Sequence, residues 1–288
     1  MLKQSARKAL FIASVIASAC VQAVPLEEVQ FISLDGTLLK AWLALPSPAN
    51  TAKPTATVVA LHGCGGLYAT SGPRQGLLNA RHQAMADRLV GEGYAVVFPD
   101  SLTSRGVREL CTQTIGSRSI TQRERRRDAL AALNWVRQQP WGQTGEVALL
   151  GWSHGGSAVL AATDANQPEV AAQKNSFKTA IAFYPGCAAA VKSGYQPNTT
   201  LTMLVGEKDD WTPAAPCIAL GKTTGASVTV YPDSYHDFDN PVGTVRLRTD
   251  VPNGVNPGQG VHVGANPVAR EAANTEVLSR LKAAFNSP

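Results

Sequence analysis

The sequence has few charged residues and no apolar run long enough to cross a membrane. Charged residues make up 16% of the 288 positions, whereas apolar residues make up 44%. This composition excludes a globally disordered chain, because it supplies enough apolar surface for a sizeable core. A membrane-spanning helix needs about 20 apolar residues. The apolar stretch at residues 9–19 falls short of that length and no later run approaches it, so no membrane span is expected.

The N-terminus has the pattern of a secretory signal peptide. Three basic residues precede the apolar stretch, and small residues in an A-x-A-like arrangement end at Ala23. We therefore predict a signal peptide at residues 1–23 and a single mature domain at residues 24–288, exported to the periplasm or secreted. Cys20 allows a second interpretation, a lipid-modified cysteine, although residues 17–19 lack the bulky aliphatic residue expected before it.

Export changes what the charge and the cysteines mean. The formal charge of +5 falls to +2 without the three basic residues of the signal peptide, which is too small for a nucleic-acid-binding surface. The mature chain keeps four cysteines, namely Cys64, Cys111, Cys187 and Cys217. An even number of cysteines in an oxidising compartment predicts two disulfides, with three alternative pairings.

Strand and helix patterns alternate along the mature chain. The β-prone runs at residues 30–34 and 38–44 flank an Asp-Gly dipeptide, which predicts a hairpin. Further strands are predicted at residues 56–61, 94–98, 147–150, 180–183, 201–205 and 228–231. Helices are predicted at residues 80–90, 121–139, 154–165 and 268–285. This order predicts an α/β fold: a mostly parallel eight-stranded sheet with an N-terminal antiparallel hairpin and helices on both faces.

Two segments have an unusual composition. The first half of the helix predicted at residues 121–139 contains four arginines interleaved with Glu124 and Asp128. We interpret this pattern as a solvated, salt-bridged outer face rather than a site for an anionic partner. Residues 239–267 are rich in glycine, proline and asparagine and have little periodicity, which predicts an inserted loop beside the C-terminal ends of the strands.

A candidate nucleophile follows the strand predicted at residues 147–150. Residues 151–156 read Gly-Trp-Ser-His-Gly-Gly and fit the G-x-S-x-G nucleophile elbow. The pattern alone is weak, and a glycine-rich turn with an incidental serine is the alternative. However, a predicted strand runs into the serine and a predicted helix leads away from it, which is the context that the motif requires. We therefore predict that Ser153 is a catalytic nucleophile.

A serine nucleophile needs a histidine base and an acid that orients the histidine. His236 follows the last predicted strand and is the predicted base, with His262 in the inserted loop as the second choice. Asp209 and Asp210 lie in the loop after the strand at residues 201–205, and the pattern alone does not choose between them. The order of serine, aspartate and histidine is the one that α/β-hydrolases use.

A tetrahedral oxyanion needs backbone amide donors. The residue after the nucleophile supplies one of them, which is the amide of His154 here. Residues 61–66, Leu-His-Gly-Cys-Gly-Gly, are predicted to supply the second. The Cys64 amide is favoured over that of Gly65, and a simple strand-to-helix turn is the alternative for this loop.

These segments resemble the dienelactone hydrolase family across nearly the whole mature chain. The matching pieces lie at residues 62–66, 98–101, 151–156, 206–213, 231–232 and 236–238. In that family the acid is the third residue after the loop glycine, which implies Asp209. The family also has an arginine that holds a substrate carboxylate, and Arg105 resembles it at a shifted position.

The resemblance has two departures. The enzymes that gave the family its name are cytoplasmic and use a cysteine nucleophile on a lactone, whereas this chain has Ser153 and a signal-peptide pattern. Exported relatives with Gly-Trp-Ser at the elbow include polyester hydrolases. Trp152 and Trp211 are therefore candidates for lining a substrate cleft, with core packing as the equal alternative.

Together these features predict hydrolysis of a carboxylic ester or lactone, small or polymeric, through an acyl-serine intermediate. No metal or organic cofactor is expected. Peptide or amide hydrolysis by the same triad is one alternative, and a non-catalytic binding protein on a hydrolase scaffold is another. Substrate identity and oligomeric state do not follow from the sequence.

The cysteine pairing follows from topology. All four cysteines come after the C-terminal ends of predicted parallel strands, on the face where such folds have their active site. Neighbouring loops are the natural partners, which predicts disulfides Cys64–Cys111 and Cys187–Cys217. Buried free thiols are the alternative.

Overall fold

The computed structural model describes residues 23–46 and 56–286. The predicted signal peptide, including Cys20, lies outside these residues except for Ala23. Within the described ranges, the longest helices are too short or too polar to cross a bilayer.

Eight strands form one sheet, and a separate pair of short strands lies in the inserted segment. The strands of the main sheet are β1 (Glu27–Ile32), β2 (Leu38–Ala44), β3 (Thr57–Leu61), β4 (Ala95–Pro99), β5 (Val147–Trp152), β6 (Thr179–Phe183), β7 (Thr200–Gly206) and β8 (Ser227–Tyr231). The short pair is β9 (Arg246–Arg248) and β10 (Val261–Val263).

The main sheet is parallel from β3 onward. Its strand order is β1-β2-β4-β3-β5-β6-β7-β8, with β1 and β2 forming the antiparallel edge. Parallel neighbours need crossover connections, and helices supply most of them. The loops after β3, β5, β7 and β8 therefore all leave the sheet at the same edge.

Helices cover both faces of the sheet. They are α1 (Ala80–Gly91), α2 (Gln122–Gln138), α3 (His154–Ala162), α4 (Pro168–Ala171), α5 (Ala188–Ser193), α6 (Ala214–Thr224) and α7 (Pro267–Phe285). Helices α2, α3 and α6 share one apolar cluster with the sheet. Helices α1 and α7 share the other cluster, on the opposite face. Strands β3 to β6 are buried throughout because both of their faces are covered.

This architecture confirms the predicted fold class. The structure adds elements that the sequence pattern did not indicate: helices α4, α5 and α6, and the β9–β10 hairpin within residues 239–267. The interpretation of the arginine-rich helix as a solvated face was wrong for two of its residues. Arg125 is fully buried and Arg126 nearly so, because their side chains contact α3 and α4, through His154 and Glu169 respectively.

Candidate active site

Ser153 lies in a tight turn between β5 and α3. Its backbone has φ 54° and ψ −115°, a sparsely populated conformation for a residue with a side chain. The neighbouring glycines permit the turn, since a Cβ at Gly155 would overlap the carbonyl oxygens of Leu61 and His62. The turn therefore exposes the serine side chain at the edge where the parallel strands end.

The structure brings Ser153, His236 and Asp209 together. His236 Nε2 lies 2.9 Å from Ser153 Oγ, and His236 Nδ1 lies 2.8 Å from Asp209 Oδ2. Asp209 comes from the loop after β7 and His236 from the loop after β8. In this arrangement a histidine can accept the proton of the serine hydroxyl while the carboxylate stabilises the imidazolium that forms.

Asp209 is held in place by its own loop. Its Oδ1 accepts hydrogen bonds from the amides of Trp211 and Thr212, at 2.9 and 2.8 Å. The Thr212 hydroxyl donates to Asp209 Oδ2 at 3.0 Å. The carboxylate is buried, and these three donors fix its orientation toward His236 before any substrate binds.

Asp210 faces a different histidine. Its Oδ2 lies 2.6 Å from His262 Nδ1, and its Oδ1 accepts the backbone amide of His262 at 2.8 Å. The hairpin that carries His262 also contacts His236, because the carbonyl of His236 accepts the amide of Gly264 at 3.0 Å. The second-choice base, His262, is thus paired with Asp210 and not with Ser153.

A buried polar network lies behind His236. The Tyr184 ring packs 4.5 Å from the His236 ring, and the Tyr184 hydroxyl donates to Asp239 at 2.6 Å. Arg81 forms an ion pair with Asp237. Burial alone would raise the pKa of Asp237, but Arg81 outweighs this effect and holds that pKa below its ordinary value. The loop that carries His236 is therefore anchored in the protein by charge as well as by packing.

The amides of Cys64 and His154 both border the serine. Cys64 lies in the loop after β3, and Gly63 of that loop comes so close to Ser153 that a Cβ there would contact the Ser153 Cβ at 3.5 Å. Within residues 23–46 and 56–286, neither amide has a hydrogen-bond acceptor. Both donors are consequently available to an oxygen atom bound beside the serine.

Two disulfides close loops at this edge of the sheet. They join Cys64 to Cys111 and Cys187 to Cys217, which is the pairing that the topology predicts. The first ties the loop after β3 to the segment after β4. The second ties the segment after β6 to α6, which begins just after the loop that holds Asp209.

A cavity of about 360 Å³ opens beside Ser153. Trp211 lines it and packs 4.7 Å from the His236 ring. Asn253 and Gly254 of the inserted segment form part of its wall. Arg118 also lines the cavity, and its Nε is buried without a hydrogen-bond partner in the part of the chain that the structure describes. Burial lowers the pKa of Arg118.

Two predicted substrate-binding residues lie elsewhere. Trp152 is completely buried, and its indole Nε1 donates to Asp239 at 2.7 Å, because its side chain points into the core below the elbow. The Arg105 guanidinium is bound by Asp128 and Asp35, each at 2.7 Å. Two carboxylates thus bind the hydrogen-bond donors of the Arg105 guanidinium. Arg118, from the same segment between β4 and α2, is the arginine that the sequence interpretation missed.

Comparison with known proteins identifies the family. The sequence matches the profile of the dienelactone hydrolase family over residues 41–285, most of the chain. The chain belongs to the dienelactone hydrolase family. This match confirms the resemblance seen in the motifs and identifies the functional class of the protein as hydrolase. A search of curated protein sequences finds no match.

Solved structures share the fold of this dienelactone hydrolase family member. A dienelactone hydrolase-like promiscuous phosphotriesterase from metagenomic libraries aligns with a TM-score of 0.66 at 18% identity, over 92% of this chain and 100% of its own. Esterase 2 of Thermogutta terrifontis, phosphoramylated by tabun, aligns with a TM-score of 0.60 at 14% identity, over 93% and 98%. Dipeptidyl peptidase 4 of Porphyromonas gingivalis aligns with a TM-score of 0.53 at 17% identity, over 75% of this chain but 33% of its own. These structural similarities show that the chain has the α/β-hydrolase fold.

Proposed function

We propose that this protein is an exported serine hydrolase that cleaves a carboxylic ester or lactone through an acyl-Ser153 intermediate. The observation that carries the proposal is the unbroken hydrogen-bond chain from Asp209 through His236 to the Ser153 hydroxyl. A serine hydroxyl is a poor nucleophile until a base removes its proton. The same chain of contacts makes His236 that base and Asp209 the group that orients it.

The proposed reaction has two halves. Ser153 Oγ attacks the carbonyl carbon while His236 Nε2 takes the hydroxyl proton, and the amides of Cys64 and His154 donate to the oxyanion that forms. The intermediate collapses, the bond to the alcohol oxygen breaks, and His236 returns its proton to that oxygen. Water then attacks the acyl-serine with His236 again as base, which releases the carboxylic acid and restores the serine.

Arg118 and Trp211 are the proposed substrate contacts. Trp211 offers an apolar ring beside His236, suited to the acyl or aromatic part of an ester, whether small or part of a polymer. The side chain of Arg118 lines the cavity, and a guanidinium binds carboxylates well. Arg118 thereby takes the role that the family resemblance had assigned to Arg105.

Export is part of the proposal. It rests on the signal-peptide pattern at residues 1–23 and on the two disulfides, which persist in oxidising compartments. Mass spectrometry of the protein recovered from its native cells should give an N-terminus at Val24. A mature protein that begins at Met1 would contradict export by this route.

Turnover of a substrate panel tests the activity. Purified mature protein should hydrolyse p-nitrophenyl esters, lactones or polyester films in preference to p-nitroanilide amides, since amides have the poorer leaving group. Preferential cleavage of the amides would favour a peptidase, and turnover of neither class would favour a binding protein.

The Ser153→Ala variant tests the mechanism. Without the hydroxyl, kcat for the best ester should fall roughly 10⁴-fold or more. The melting temperature should change little, because the side chain is exposed in the cavity. Stoichiometric labelling by a fluorophosphonate should also be lost. A variant that keeps more than about a tenth of the activity would remove Ser153 from the mechanism.

A further inference from the structure

Arg125 is a fully buried guanidinium directly behind the candidate active site. It lies on α2, and no ion pair between described residues includes it. The next residue, Arg126, shows the ordinary arrangement, in which Nε donates to the carboxylate of Glu169 at 3.0 Å. A buried arginine usually has such a carboxylate partner, because an unpaired buried charge is costly. The exceptional surroundings of Arg125 therefore need an explanation.

The two partners of Arg125 belong to the two segments that carry the candidate oxyanion donors. Its Nη2 donates to the carbonyl of His62 at 2.8 Å. Its Nη1 lies 3.3 Å from Nδ1 of His154. His62 precedes the loop amide of Cys64, and His154 itself carries the second amide. One guanidinium thus connects both sides of the oxyanion site.

The chemistry of the contact fixes the state of His154. An arginine can only donate hydrogen bonds, so Nδ1 of His154 must accept and its proton must be on Nε2. Burial, together with the charge of Arg125, lowers the pKa of His154 far below its ordinary value, so the ring is neutral. Burial lowers the pKa of Arg125 to about 10, which leaves it protonated at neutral pH. Its hydrogen bonds therefore go to two neutral acceptors, while the carboxylates of Asp128 and Asp100 stabilise its charge without contacting it as ion pairs.

The backbone leaves little room between these segments. A Cβ at Gly155 would overlap the carbonyl oxygens of Leu61 and His62, so α3 and the loop after β3 are in direct contact. This contact sets how close the segments can come. It does not stop them from separating, and the two arms of Arg125 oppose that movement.

We infer that Arg125 is a positioning residue for the reaction, which holds the Cys64 and His154 amides at a fixed spacing and keeps a positive charge behind the oxyanion. This inference rests on the proposed function. Donors arranged in advance for the charge of the transition state lower the barrier without strengthening substrate binding. Loss of Arg125 should therefore lower kcat and leave KM almost unchanged.

The test compares Arg125→Gln with Arg126→Gln, a matched control on the same helix. Each kcat is expressed per serine labelled by a fluorophosphonate, so that unfolded protein does not count. With p-nitrophenyl butyrate, Arg125→Gln should lower kcat roughly 100-fold, as a misplaced donor does, with KM within about threefold. The inhibition constant of phenylboronic acid, which forms a tetrahedral adduct, should rise by a similar factor. Arg126→Gln should keep kcat within about threefold.

Two further variants cover a failure of Arg125→Gln to fold. Arg125→Lys keeps the charge but has a single nitrogen that cannot reach both acceptors, so its kcat should lie between those of wild type and Arg125→Gln. His154→Ala keeps the amide and removes one acceptor, which should cost roughly tenfold in kcat. Wild-type kcat in His154→Ala and in a folded Arg125 variant would overturn the inference, as would equal losses in Arg125→Gln and Arg126→Gln.

The same measurements separate this inference from the proposed function. A wild-type protein that neither reacts with the fluorophosphonate nor hydrolyses esters would refute the proposed function itself. A reactive wild-type protein whose kcat does not depend on residue 125 would refute only the role of Arg125.

Discussion

Asp209 and Asp210 are adjacent in the chain, yet their carboxylates serve different histidines. Asp209 contacts His236 and accepts two amides of its own loop. Asp210 contacts His262 on the inserted hairpin and is partly exposed. The two neighbouring aspartates thus have separate roles: Asp209 belongs to the proposed triad, and Asp210 holds the inserted hairpin.

Substitution of the two aspartates should have unequal effects on catalysis. Asp209→Asn should reduce kcat by roughly three to four orders of magnitude, because an amide favours the wrong tautomer of His236. Asp210→Asn should cost far less in kcat, since it disturbs only the contact with His262. Steady-state kinetics on the best ester measure both, and the opposite ranking would transfer the role to Asp210.

Arg118 should distinguish anionic from neutral substrates. Arg118→Gln should raise KM for an ester that bears a carboxylate, by roughly tenfold or more if one charged hydrogen bond is lost. KM for a neutral ester of the same size should hardly change, which makes that ester the internal control. An equal effect on both esters would indicate that Arg118 shapes the cavity rather than binds charge.

The sequence predicted which loops meet at the site better than it predicted side-chain directions. Ser153 was found from its motif and His236 from its position after the last strand. Trp152 follows from the same motif, but its side chain points into the core, which the motif does not encode. Arg105 and Arg118 lie in one segment of irregular structure, where no periodicity shows which arginine reaches the cavity.

Fully buried strands were predicted accurately, whereas helix α6 and the short strands β9 and β10 were missed. Strand β3 and strand β5 are buried along their whole length, so each appears in the sequence as a continuous apolar run. Helix α6 buries only Cys217 and Leu220 and contains Pro216 and Gly221, so it has no helical pattern to detect. Strands β9 and β10 are too short for a pattern to develop.

The two disulfides should differ in what they do for activity. Replacement of either pair by alanine should cost up to about 4 kcal/mol of unfolding free energy in the chain-entropy model, because the closed loops are similar in length. Only the Cys64–Cys111 pair belongs to the loop of the proposed oxyanion donor. The double variant Cys64→Ala/Cys111→Ala should therefore also lose kcat, roughly tenfold.

The variant Cys187→Ala/Cys217→Ala is the matched comparison for that effect. It should lose a similar amount of stability in urea denaturation while its kcat at 25 °C stays within about threefold of wild type. Equal losses of kcat in both double variants would show that the first disulfide acts only through global stability.

The molecule as a whole contains three buried histidines outside the proposed triad. Burial lowers the pKa of His62, His82 and His154 well below the ordinary value of 6.5. Below about pH 6.5 the unfolded chain binds protons at these positions and the folded chain does not. Unfolding free energy should therefore fall as the pH drops below 6.5, by about 1.4 kcal/mol per pH unit for each histidine.

Urea denaturation at pH 7.5, 6.5 and 5.5 measures this dependence. For the variant His82→Gln, the loss of unfolding free energy between pH 6.5 and 5.5 should be smaller by about 1 kcal/mol, because the unfolded histidine is only half protonated at pH 6.5. An unchanged slope in His82→Gln would mean that His82 is protonated in the folded protein.

Part of the cavity wall comes from a different part of the chain than the reactive groups. Asn253 and Gly254 of the insertion contribute to the wall, whereas the elbow is so closely packed that no Cβ fits at Gly155. For laboratory evolution, this difference indicates which positions tolerate substitution. Saturation libraries at Arg118 and Asn253 should yield many folded, active clones with altered substrate range, while libraries at residues 151–156 should yield almost none.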